Sequence, residues 1–170
     1  LFSASCAWII LWRGWGKGLG VLGVVAALMG WHGSDRPDIL IAKDGVLVGL
    51  LLPEGRALSK PNGGTFSARI WAQNDGLPMP REKAYALWQD RKIDLYHHWS
   101  KKKKGLEIAC VPGELHIVAQ QRRISGECWH LSHHIIKRNG ATAIWLDHQG
   151  KPAKIRHINS GFTRLWSKQR

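Results

Sequence analysis

A chain of 170 residues that opens on an apolar stretch has room for one modest polar domain and excludes several. Its 25 Lys and Arg against 12 Asp and Glu give a net charge of +13; two of the cations, Arg13 and Lys17, fall in the apolar stretch, which leaves 23 against 12 for the rest. Such a surplus attracts polyanions, whether nucleic acid or anionic lipid headgroups, although many basic domains use it only for solubility.

Residues 1–33 hold two apolar blocks, 1–11 and 18–31, separated by Trp12-Arg13-Gly14-Trp15-Gly16-Lys17. Neither block alone reaches the roughly 20 residues that cross a bilayer, but the second does so if it borrows Trp15 and His32. The expectation is a terminal transmembrane helix or hairpin over 1–33, with Trp12, Trp15 and Trp31 at the interface. Arg13 and Lys17 in the short connection favour the cytoplasmic side, so the chain from Ser34 onward is expected outside the membrane. From the abrupt apolar start, the chain is expected to be the C-terminal part of a longer protein. A signal peptide is the weaker alternative, because its basic region comes first; a buried hairpin of a soluble protein is another.

The remainder, 34–170, is expected to be one α+β domain of mainly antiparallel β-hairpins with two central helices. Apolar runs at 38–42 and 46–52 flank Asp44-Gly45 and predict a hairpin, with a second turn at Pro53-Glu54-Gly55. Thr65 caps a predicted helix with Phe66, Arg69, Ile70 and Gln73 on one side, and Gly76 ends it. Pro80 opens a second helix to about Asp90, with Ala84, Leu87 and Trp88 as its apolar stripe. Lys101-Lys102-Lys103-Lys104 predicts an exposed loop. Runs at 106–111 and 115–120 predict a hairpin around Pro112-Gly113-Glu114, and Asn139-Gly140 gives another hairpin signal. Strands at 141–146 and 151–158 enclose the turn Asp147-His148-Gln149-Gly150, and a basic tail with Phe162, Leu165 and Trp166 ends the chain.

Six of the ten Trp lie in the polar part, most of them expected in the core. Cys6 is in the apolar stretch. Cys110 and Cys128 can form a disulfide in an oxidising compartment, closing a loop worth about 3 kcal/mol, but two buried free thiols are the favoured reading.

In order along the chain stand Arg36-Pro37-Asp38-Ile39-Leu40-Ile41, Asp44-Gly45, Trp71-Ala72-Gln73-Asn74-Asp75-Gly76, Gly140-Ala141-Thr142-Ala143-Ile144-Trp145-Leu146 and the late Trp166. This order resembles the C-terminal end of the ComEC family of bacterial competence proteins, in its alphaproteobacterial form. The resemblance is loose between Asp90 and Gly126. It implies an inner-membrane channel that imports single-stranded DNA during natural transformation, with the polar domain on the periplasmic side and a membrane region preceding Leu1. Better-known members end in a metallo-β-lactamase-like domain whose signature is His-x-His-x-Asp-His. The nearest string here, Cys128-Trp129-His130-Leu131-Ser132-His133, has Cys at the first His and Ser at the Asp, so no hydrolase of that class is expected.

A metal held by Cys128, His130, His133 and His134, with His97 and His98 as a second pair, is not expected either, because His133 on a strand would point away from Cys128 and His130. No nucleophile elbow and no phosphate-cradling glycine motif precede a helix in the polar part. No catalytic residue, metal or cofactor is therefore assigned. The expected function is non-catalytic contact with incoming single-stranded DNA through Lys101, Lys102, Lys103, Lys104, Arg122, Arg123, Lys154 and Arg156, joined by Lys137, Arg138 and Lys151. Trp99, beside the lysine run, is the candidate for base stacking. The expected partners are single-stranded DNA, the lipid bilayer and the chain's own upstream membrane region. The alternatives are a membrane-anchored metal-dependent nuclease with a degenerate site, and a basic envelope-interaction module.

Overall fold

A computed structural model describes residues 1–32, 35–100 and 107–158. The chain divides into two compact units, Leu1–Arg36 and Pro37–Arg170.

The first unit is a pair of helices, α1 (Phe2–Leu11) and α2 (Lys17–His32). Trp8 stacks on Trp12 at 4.3 Å and donates its indole N–H to the Gly16 carbonyl at 3.0 Å, which fixes the connection. Small residues let the helices approach: a Cβ on Gly20 would fall 2.5 Å from Ile9, and one on Gly23 would collide with Ser5. The expected transmembrane helix or hairpin is corrected here. No helix among the described residues is long and apolar enough to cross a membrane. The break at residues 12–16 divides the apolar stretch, and the 16 residues of α2 rise only about 24 Å against a hydrocarbon core of about 30 Å.

The second unit is α+β, built from ten strands and three helices among its described residues. Strands β1 (Ile39–Ile41), β2 (Val48–Leu52), β3 (Gly55–Leu58), β9 (Thr142–Leu146) and β10 (Pro152–His157) form one antiparallel sheet in the order β10-β9-β1-β2-β3. The hairpin around Asp44-Gly45 is as expected: Ile39 pairs with Leu50, and Gly45 N–H bonds the Ala42 carbonyl. The returning pair β9–β10 is also as expected. Helices α3 (Thr65–Asp75) and α4 (Arg81–Gln89) pack on β3. Ile39, Ile41, Val48, Leu50 and Ile144 bury one core with Trp88 of α4; Ala42, Leu47, Leu58, Ala68 and Ala84 form a second cluster.

Two details of the helices differ from expectation. Gly64, in a left-handed conformation, is the N-cap of α3; Thr65 makes no capping bond because it is already inside the helix. The buried face is also the opposite one: Ala68 and Asp75 are buried, whereas Phe66 is 80% exposed. The stripe of α4 stands: Ala84 and Trp88 are buried, and Leu87 packs against the cluster that holds Trp88.

Between α4 and β9 the hairpin architecture is overturned. Strands β4 (Leu95–His98), β6 (Leu115–Val118) and β8 (Trp129–Leu131) pair in parallel, and so do β5 (Ile108–Cys110) and β7 (Ile124–Gly126). The chain alternates between the two small sheets, so the strands on either side of Pro112-Gly113-Glu114 never pair with each other. Winding suits this segment because Leu115, Ile117 and Val118 are all buried, which a half-exposed hairpin strand cannot satisfy. Asn139-Gly140 is likewise not a hairpin turn: residues 133–139 are a helix, α5 (His133–Asn139), with Gly140 as its C-cap.

A buried ion pair ties these parts together. Arg56 of β3 donates Nε to Asp75 Oδ2 at 2.5 Å and Nη2 to Oδ1 at 3.1 Å. The same guanidinium reaches the carbonyls of Pro37 and Asp38, while Asp38 Oδ2 accepts the Leu146 N–H at 2.7 Å. Pro37, Asp38, Asp75 and Leu146 all come from the strings that carry the resemblance, so those residues hold the end of α3 to the sheet.

Candidate nucleic-acid interface

Trp99 follows directly on β4 and is 44% exposed. Lys60, just after β3, places its ammonium over the Trp99 ring, 4.3 Å from the centroid. Partial burial, then the nearby Arg81 charge, holds the Lys60 pKa below its ordinary value, against a smaller opposing pull from Asp44. Arg122 donates Nη2 to the carbonyl of Ser100 at 2.9 Å, beside Trp99 and at the start of the lysine run. Its Nε is buried and has no hydrogen-bond partner among the described residues.

Two clefts meet at this point. One, about 630 Å³, is lined by Asp44, Val46, Lys60, Trp99, Ser100, Ala119 and Gln120. The other, about 380 Å³, is lined by Gln120, Arg122, Arg123, His133 and His134 among others. Gln120 borders both. The structure therefore brings together three of the sequence-predicted residues, Trp99, Arg122 and Arg123. Lys154 and Arg156 line neither cleft; they project from the edge strand β10 toward the Trp145 ring, at 5.1 and 6.0 Å from its centroid. Lys101, Lys102, Lys103 and Lys104 lie outside the described residues.

A buried relay braces the strand that presents Trp99. Val48 N–H bonds Ser59 Oγ at 3.0 Å, and Ser59 Oγ lies 2.8 Å from His97 Nδ1. His97 Nε2 lies 2.8 Å from the Gly45 carbonyl, which can only accept, so Nε2 carries the proton and the Ser59 hydroxyl donates to Nδ1. Burial is the main cause that lowers the His97 pKa to about 4, with the Lys60 and His98 charges adding to it and the Gly45 bond opposing. The imidazole is neutral at pH 7.

Of the histidines considered as metal ligands, His130 is exposed, His133 bonds the Ala119 carbonyl at 2.9 Å, His97 belongs to the relay, and His98 lies against His116. Cys128 gathers instead with Cys110 and His116, which place their ligand atoms within 4.8 Å of one another. The favoured free thiols are corrected: Cys110 and Cys128 form a disulfide, with Cα atoms 5.5 Å apart. The pairing follows from register. Cys110 lies opposite Gly126, whose φ is +107° and where a Cβ would collide with the Cys110 carbonyl, so the chain turns tightly there and delivers Cys128 two residues later.

Sequence reasoning missed Lys60 and the pair Glu114 and His116. Glu114 and His116 are two apart entering a strand, a spacing that puts both side chains on one face. Lys60 reaches Trp99 across 39 residues, which only the tertiary pairing reveals. No protein-family model, curated protein or solved structure matches this chain.

Proposed function

We propose that residues 37–158 form a non-catalytic module that binds single-stranded DNA at the Trp99 clefts. The carrying observation is the half-exposed Trp99 ring with Lys60 over it and Arg122 hydrogen-bonded to the adjoining Ser100. Cations that track phosphates beside an aromatic ring that takes a base make up the sequence-tolerant grip of single-strand binders. The Trp145, Lys154 and Arg156 edge is a second contact along the same strand.

This reading fits the resemblance to the C-terminal end of ComEC-type DNA-uptake channels, where DNA of any sequence must be accepted. A periplasmic location is part of the proposal; the Cys110–Cys128 disulfide favours an oxidising compartment. The α1–α2 pair, with Ile10, Leu11, Leu19, Leu22 and Trp31 exposed, is proposed to contact lipid.

Fluorescence titration of the full chain with labelled oligothymidine tests the site. Trp99→Ala is expected to weaken binding by about 5- to 150-fold, the equivalent of losing roughly 1–3 kcal/mol of base stacking. Unchanged affinity in Trp99→Ala refutes the site.

A further inference from the structure

The winding segment holds a cluster that DNA binding does not use. His116 of β6 is 3% exposed, and both its ring nitrogens face other polar groups. Nε2 lies 3.0 Å from Glu114 Oε2, and Nδ1 lies 3.0 Å from His98 Nε2. Glu114 is itself fixed, because Oε2 accepts the Val111 N–H at 3.0 Å. His98 stacks on His116 with centroids 5.2 Å apart, and Tyr96 lies against the ring at 5.0 Å. Cys110 and Cys128 complete the group, each with its sulfur within 4.8 Å of the histidine's ligand atom.

We propose that this cluster is a redox-gated zinc site: a disulfide when oxidised, and a site for Zn²⁺ on Cys110, Cys128 and His116 once the disulfide is reduced. Two thiolates and an imidazole are ordinary zinc ligands, and around a tetrahedral ion their donor atoms stand about 3.5–3.8 Å apart. The three ligand atoms lie within 4.8 Å of one another, so small side-chain rotations bring them to that spacing. With the Cα atoms 5.5 Å apart, side-chain rotation alone separates the sulfurs to that distance. Whichever ring nitrogen of His116 takes the ion, the polar neighbour at the other, Glu114 Oε2 at Nε2 or His98 Nε2 at Nδ1, orients the ring, as outer partners of zinc-bound histidines do.

The chemistry balances with an external dithiol as reductant. The dithiol transfers two electrons and two protons to the Cys110–Cys128 bond, is itself oxidised to its disulfide, and leaves two thiols. Zn²⁺ then displaces the two thiol protons to solvent as the two Zn–S bonds form. Disulfide and ion exclude each other, because sulfurs bonded together are not thiolates.

The test uses the full chain with Co²⁺ alone as an optical probe and Zn²⁺ alone as its competitor, after reduction with a phosphine or without it. The expected result is one equivalent of Co²⁺ on the reduced chain only, with thiolate-to-metal charge-transfer absorption and the intense visible bands of a tetrahedral ion, both abolished by Zn²⁺. Cys128→Ser and His116→Gln should each remove the tetrahedral spectrum. If His116→Gln does not fold, Glu114→Gln and His98→Gln replace it, and at least one should weaken binding about 10- to 100-fold. Far-ultraviolet circular dichroism is recorded throughout. A reduced chain that stays folded and takes up no Co²⁺ overturns the proposal. So does a reduced chain that unfolds and is not refolded by Zn²⁺, or binding that is equal in the oxidised chain. None of these outcomes bears on the Trp99 site, which is read with DNA.

Discussion

His97 makes the fold's pH dependence calculable. In the unfolded chain a histidine titrates near 6.5, and in the folded protein burial holds His97 at about 4. Between those values the unfolded state binds more protons, so folding loses free energy as the pH falls. The contribution is present in full above pH 6.5, declines through the window, and is exhausted below about pH 4. At 1.36 kcal/mol per unit, the loss between pH 7.5 and 4.5 comes to about 2.5 kcal/mol. His97→Gln removes this titration; its amide can still donate to the Gly45 carbonyl. Urea unfolding of both proteins at pH 7.5, 6.5, 5.5 and 4.5 isolates the term, because every other ionisable group is shared. The wild type should lose about 2.5 kcal/mol more than His97→Gln across that range. Parallel losses in the two proteins would show that His97 is free to protonate in the folded state, and would refute the relay from Val48 through Ser59 to Gly45.

Asp75→Ala strands the Arg56 guanidinium, which is 4% exposed, and should cost about 3–5 kcal/mol by urea unfolding; the double variant Arg56→Met with Asp75→Leu should recover much of the loss. Reducing the disulfide without added metal should cost about 3 kcal/mol, the loop entropy of an 18-residue separation, measured as a lower unfolding midpoint in a phosphine reductant. Gly126→Ala should destabilise by more than about 1 kcal/mol in the same assay, since it adds a left-handed backbone penalty to a collision with the Cys110 carbonyl.

Local chemistry makes much of the fold legible. The Asp44-Gly45 hairpin, the Gly76 helix stop, the Pro80 helix start and the β9–β10 return are readable because each depends on a turn residue with few conformational options. The winding segment is not, since a turn such as Pro112-Gly113-Glu114 joins either a hairpin or two strands of different sheets, and only long-range pairing decides. The first unit misleads for a different reason: its composition is that of a membrane span, but the break at residues 12–16 leaves each helix short. At the site, Trp99, Arg122 and Arg123 stand out by their chemistry and fall together, while Lys154 and Arg156 pair with Trp145 elsewhere. Lys60, Glu114 and His116 act through partners that no local pattern joins to them.

Proposed binding of single-stranded DNA at the Trp99 clefts through phosphate neutralisation is tested by the affinity of the full chain for oligothymidine across a salt series, compared with Arg122→Ala/Arg123→Ala. Log affinity is expected to fall linearly with log salt, with a slope shallower by about 1.4 in the double variant, at roughly 0.7 for each phosphate no longer neutralised. No binding at low salt, or the same slope in both proteins, would contradict it.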